Sequence, residues 1–270
     1  MLQSTFQTIL VPVDFSINTD VAVKKTLEII DTNSSTVHLL HVVKSGLTQE
    51  FLLNIEKKLN EWRSTIEESF PGISVFCEIE RSLHVQHCIH QTAKRIHADL
   101  VVIGKRSSHT WLPLWSSVQP MKIPEITGIP VLSVKPGALH NRIRTVVVPI
   151  ADEMPRNKMA ALEVLCKRQN LHVHLITFNN NQDCSGSTSA LLKVFKWLKS
   201  TMKCQVEYSL LQGYCSARSI LEYAETVKAD ILLVNPDSET KIGWLNRQLP
   251  DVLANTSKMQ VLAIQPAISY

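Results

Sequence analysis

The sequence predicts a duplicated α/β protein, each copy a parallel sheet with helices on both faces. The first observation is an internal repeat. Thr8-Ile-Leu-Val-Pro-Val-Asp14 returns as Thr145-Val-Val-Val-Pro-Ile-Ala-Asp152, and Ala98-Asp-Leu-Val-Val-Ile-Gly104 returns as Ala229-Asp-Ile-Leu-Leu-Val-Asn235. Pro130-Val-Leu-Ser-Val-Lys-Pro136 returns as Gln260-Val-Leu-Ala-Ile-Gln-Pro266, and the three offsets are 137, 131 and 130 residues. The second observation is the alternation of short Val/Ile/Leu runs with helical periodicity, which is how right-handed βαβ units read. The third is length: 270 residues suit two domains at about 150 residues each. The join falls near Gly137 to Asn141, which sets domains at 1–138 and 142–270.

In the first copy, strands are expected at 8–13, 37–43, 74–79, 100–104 and 131–134. Each run is nearly continuous in apolar residues, the pattern of parallel strands buried on both faces. Helices are expected between them. Residues 19–30 carry apolar Val21, Val23, Leu27 and Ile30. Residues 49–70 carry Leu52, Ile55, Leu59, Trp62 and Ile66 at steps of three and four, and 84–97 carry Val85, Cys88, Ile89, Ala93 and Ile96. The second copy follows with strands at 145–150, 171–178, 205–210, 231–234 and 261–264.

Composition excludes several functions. Apolar residues make up 44% and charged residues 19%, so the chain can bury a sizeable core. A net charge of +4 without any basic run leaves no electrostatic footprint for nucleic acid. No apolar stretch reaches the roughly 18 residues of a membrane span, and the N-terminus lacks the pattern of a secretion signal. The six cysteines, 77, 88, 166, 184, 204 and 215, form no C-x-x-C pair and read as reduced thiols, so a cytoplasmic protein is expected. Walker, nucleophile-elbow and H-E-x-x-H motifs are all absent, and no catalytic residue is assigned.

Doubly wound sheets bind ligands beyond the carboxyl ends of their strands, where the strand order reverses. That rim holds Pro12, Val13, Asp14, Val43 and the loop after Gly104. In the second copy it holds Pro149, Ile150, Asp152, Phe178 and the loop after Asn235. Asp14 has two readings at this point: a contact to a ligand, or a cap for the following helix and its 15–18 turn.

The segments Ile9-Leu-Val-Pro-Val-Asp-Phe-Ser16, His41-Val-Val43, Ala98-Asp-Leu-Val-Val-Ile-Gly104 and Ile129-Pro-Val-Leu-Ser-Val134 resemble the universal stress protein family in order and spacing. The repeat makes the chain similar to its tandem members. The resemblance implies two Rossmann-like domains of the adenine nucleotide alpha hydrolase-like type, each a five-stranded parallel sheet of order 3-2-1-4-5. It also implies an internal pseudo-dimer joined through the strand edges 131–134 and 261–264, and a non-catalytic role in stress response. An aspartate matching Asp14 approaches the nucleoside in family members. Further pairing into a homodimer stays open.

ATP-binding members carry G-x-x-G, nine residues, then G-S or G-T after the fourth strand, glycines that let backbone N–H groups meet phosphate. Here the loop keeps Gly104 but has Ser107 and Ser117 at the next two glycines and Val118 at the hydroxyl position. Lys105 and Arg106 offer charge for phosphate, or are two solvated basic residues. Asn235-Pro-Asp-Ser-Glu-Thr240 replaces the second loop, and Asp237 and Glu239 would repel phosphate. The expectation is therefore a binding or interaction module for a protein partner, with no resident cofactor. The alternative is an ATP-binding switch that uses Asp14, Val43, Gly104 and Ser117 of the first domain.

Two histidine sets remain. His84, His87 and His90 recur along one helix with His97 at its end, and His172 and His174 share one face of a strand. Neither set has an evident carboxylate complement, so both read as hydrogen-bonded histidines and no metal is assigned. Trp111, Leu112, Pro113, Leu114 and Trp115 make the first loop apolar, and Trp244 and Leu245 stand in a comparable place. Such loops are expected to pack on the core, the nucleotide cleft, the other domain or a partner.

Overall fold

The computed structural model describes residues 6–43, 46, 48–105, 118–151, 153–179, 185–242 and 247–266. In chain order the elements of the first half are β1 (Thr8–Pro12), α1 (Ile17–Ile29), β2 (Thr36–Val43), α2 (Gln49–Ser69), β3 (Ser74–Arg81), α3 (Val85–Arg95), β4 (Leu100–Gly104), α4 (Lys122–Thr127) and β5 (Val131–Val134). A 3-10 turn at Pro136–Ala138 leads into β6 (Thr145–Pro149), α5 (Arg156–Arg168), β7 (His172–Asn179), α6 (Ser185–Thr201), β8 (Gln205–Gln212), α7 (Ala217–Thr226) and β9 (Ile231–Val234). A two-residue hairpin, β10 (Lys241–Ile242) with β11 (Arg247–Gln248), then precedes α8 (Leu249–Val252) and β12 (Gln260–Ala263). The hairpin, α4 and α8 are too short to carry a periodic signal, and the sequence did not announce them.

Ten strands form one sheet in the order β3-β2-β1-β4-β5-β12-β9-β6-β7-β8. Each half therefore runs third, second, first, fourth, fifth, parallel throughout. The halves meet antiparallel at β5 and β12, where Val261 faces Ser133 and Leu262 faces Leu132. This pairing covers two edges that would otherwise offer unpaired N–H and C=O groups. On one face a single apolar core runs through both halves, with Val11, Leu39 and Val102 joined by way of Leu132 and Leu262 to Val148, Leu175 and Leu233. The opposite face carries two separate clusters, one under α3 and one under α7. Among the described residues, no helix is long and apolar enough to cross a membrane.

The repeated Ala-Asp pair has a structural role. The Asp99 Oδ2 atom accepts the N–H groups of Gln7 and Thr8 at 3.1 and 2.9 Å, and Asp230 Oδ2 accepts those of Arg144 and Thr145 at 2.8 and 2.9 Å. Each aspartate thus satisfies backbone donors at the start of its first strand. The residues two places before them, His97 and Lys228, both adopt positive φ, 50° and 53°. They end α3 and α7 with the same left-handed turn, closed by Ala98 N–H to Ala93 O and Ala229 N–H to Ala224 O.

Candidate functional site

Parallel pairing of β1 with β2 and β4 brings the ends of these strands to one rim. Pro12 is buried at the end of β1, and Val13 (0% exposed) and Val43 (4%) belong to the core. Val118, 2% exposed, packs in the cluster under α3. Arg106, Ser107 and Ser117 lie outside the described residues, as do Trp111, Trp115, Trp244 and Leu245. Among the described rim residues, Pro12, Val13, Val43 and Val118 are buried, and Val13, Val43 and Val118 pack in the core clusters.

Asp14 holds the turn into α1. Its Oδ1 accepts the Ser16 N–H at 3.0 Å, the Ser16 hydroxyl at 2.5 Å and the Thr19 hydroxyl at 2.6 Å. The Asp14 N–H in turn donates to Thr19 Oγ1 at 3.0 Å. Of the two readings open in the sequence, these contacts supply the turn. They explain how Phe15 sustains a φ of 57°, since a bulky residue there needs its neighbours to hold it. Phe15 packs against His41 and Trp62, and His41 Nδ1–H donates to Val13 O at 2.7 Å. Burial holds the His41 imidazole below the usual histidine range.

Gly104 is required by packing. A Cβ there would stand 2.1 Å from the carbonyl oxygen of Asn18 and 2.4 Å from its carbonyl carbon. The end of β4 thus lies directly against the first turn of α1, and only glycine leaves room. Lys105 corrects both expectations made for it. It is neither solvated nor turned to a ligand: 7% exposed, it donates to Val118 O at 2.9 Å and pairs with Asp251 of α8 at 3.0 Å. Lys135, 1% exposed, has no hydrogen-bond partner among the described residues. Burial, reinforced by the Lys105 charge, brings its ammonium down to about 8.

The second half fills the equivalent crevice with its own charges. Lys158 of α5 and Glu239, 2% and 3% exposed, pair at 2.7 Å. Lys158 also donates to Pro149 O at 3.0 Å, at the end of β6. Glu239 Oε2 accepts the Asn235 N–H at 2.7 Å, and the Asn235 side chain reaches Oε1 at 3.3 Å. A carboxylate thus sits on the backbone donor after β9, where a bound phosphate would compete for the same N–H. The sequence placed an acid in this loop but had no signal that Glu239 turns inward, because Lys158 lies 81 residues away. Asp237 stays at the surface and accepts from Gln265 at 3.0 Å.

The histidines separate. On α3, His90 pairs with Gln86 at 2.6 Å, and Gln86 in turn accepts the Gln119 N–H at 2.7 Å. On β7, His172 and His174 stack with ring centroids 4.2 Å apart, and Glu207 of β8 lies 3.1 Å from His172 Nε2. The carboxylate that the sequence seemed to lack comes from the neighbouring strand, in register with His174.

Two doubly wound halves in one sheet, the second with the Lys158–Glu239 pair at its switch point, define a tandem α/β protein. Residues 5–119 match the model of the universal stress protein family. The match lies in the first half of the chain, and the second half repeats the fold. No curated protein sequence matches it. Solved structures similar to it include a universal stress protein from Archaeoglobus fulgidus DSM 4304, at 16% identity and a TM-score of 0.66, covering 98% of each chain. A putative universal stress protein from Pseudomonas aeruginosa UCBPP-PA14 aligns at 14% identity and a TM-score of 0.55, covering 97% of this chain and 94% of that one. The cytoplasmic domain of a prokaryotic cation chloride cotransporter aligns at 14% identity and a TM-score of 0.57, covering 96% and 95%. At these identities the likeness is one of fold.

Proposed function

We propose that the chain is a non-catalytic binding module of the stress response, built from universal stress protein domains at 1–138 and 142–270 packed as an internal pseudo-dimer. Its ligand is a protein partner, and neither crevice holds a resident nucleotide. The observation that carries this reading is the Lys158–Glu239 pair, buried on the Asn235 N–H where an anion would bind. In the first half Asp14 spends its Oδ1 on Ser16 and Thr19, and Gly104 serves the contact with Asn18. A cytoplasmic setting agrees with thiols that are all free among the described residues.

The alternative, an ATP-responsive switch in the first domain, rests on the retained Gly104 and the rim position of Asp14. The two readings separate on the purified full chain. Denaturation followed by chromatography of the supernatant is expected to release no adenine nucleotide. Release near one per chain would overturn the empty-crevice reading in favour of the first domain's cleft.

A further inference from the structure

We propose that His172, His174 and Glu207 form a divalent transition-metal site of the zinc type, with solvent completing the coordination. His172 and His174 lie two apart on β7, so both imidazoles leave the same face of the sheet. β8 pairs alongside in parallel, with His174 opposite Glu207. The carboxylate reaches both rings: Oε1 is 3.1 Å from His172 Nε2, and Oε2 is 3.9 Å from His174 Nδ1. One donor atom from each of the three residues lies within 4.8 Å of the others.

Geometry and chemistry agree on the class of ion. Metal–ligand bonds of about 2.0–2.1 Å in a tetrahedron put neighbouring donors roughly 3.3 Å apart. The His172–Glu207 separation already meets that distance. His174 closes the rest by a small ring rotation. Two imidazoles and one carboxylate suit zinc and its neighbours, whereas calcium and magnesium select all-oxygen shells. Among the described residues His172 Nε2 is buried and makes no aligned hydrogen bond, though the Glu207 carboxylate lies 3.1 Å from it, so the ring nitrogen is available to a metal. The Tyr223 hydroxyl, held by Ser209 at 2.9 Å, lies 3.3 Å from His174 Nδ1 and yields that contact on loading. Access is open from the Glu207 side, whose side chain is 63% exposed, while that of His174 is 9% exposed.

The first half supplies an internal control. In β2 and β3 the matching cross-strand pair is His38 and Phe76, stacked with centroids 5.1 Å apart and lacking the carboxylate. The experiment titrates Co²⁺ into the chelator-treated full chain, follows the visible absorption, and displaces the cobalt with Zn²⁺. One Co²⁺ per chain with tetrahedral bands is expected. Glu207→Gln, a change at an exposed position, and His172→Ala should each weaken binding at least tenfold with the far-UV circular dichroism unchanged, while His38→Ala leaves it intact. No stoichiometric binding overturns the proposal. So does binding that survives both substitutions, and so does binding abolished only by alkylating the cysteines.

Discussion

Where β2 of the first half sets His38 against Phe76, β7 of the second sets His174 against Glu207. Where the first half has at its rim a turn around Asp14 and glycine packing at Gly104, the second has the buried pair Lys158–Glu239. The backbone supports of the two halves are nonetheless the same: Asp99 and Asp230 accept equivalent strand N–H groups, and His97 and Lys228 make equivalent left-handed turns. The comparison teaches that the duplicated fold preserves the contacts that build the sheet, while the crevice and the outer strands are where the copies have diverged. A landmark shared between copies is therefore evidence of architecture first.

Breaking the second crevice should have the largest effect. Lys158→Met leaves the Glu239 carboxylate buried and unpaired, and is expected to destabilise the chain by about 3–5 kcal/mol in urea unfolding. Adding Glu239→Leu should restore much of that loss, because two apolar groups replace a costly buried pair. A single substitution that leaves the urea midpoint unchanged would show that the pair is not buried as described.

The junction between halves gives the next effect, and its sign follows from Lys135. The folded value of about 8 lies below the ordinary 10.5, so the unfolded chain holds a proton that the folded chain releases. Stability therefore rises with pH between about 8 and 10.5, and the full penalty, on the order of 3 kcal/mol, is present below 8. Lys135→Met should stabilise the protein at pH 7 and flatten its stability profile across that window. Thermal unfolding at several pH values reads both, and a destabilised Lys135→Met protein would contradict the burial of an ammonium without a hydrogen-bond partner among the described residues.

The smallest effect belongs to the first rim. Gly104→Ala pushes a methyl into the Asn18 backbone and should cost about 1–3 kcal/mol. A Gly104→Ala protein as stable as the parent would free Gly104 from its packing role and return it to the phosphate-loop reading.

Much of this architecture was legible in the sequence. Continuous Val/Ile/Leu runs mark buried parallel strands without reference to anything distant, and the repeat located the halves. The pairing of β5 with β12 followed from the family resemblance. The sites were less legible because they depend on register and on partners far along the chain. His172 and His174 announce a shared face by their spacing, yet Glu207 becomes their neighbour only once β8 is aligned on β7. Lys105 looked like a loop cation because Asp251, its partner, belongs to the other half. Glu239 could be read only as a loop acid because its partner, Lys158, lies 81 residues away along the chain.

The most direct measurement is a calorimetric titration of ATP into the full chain. The proposed reading, which rests on the Lys158–Glu239 pair at the Asn235 N–H, predicts no heat beyond dilution up to high micromolar ATP. Saturable binding at about one ATP per chain would contradict that reading and favour a nucleotide switch in the first domain.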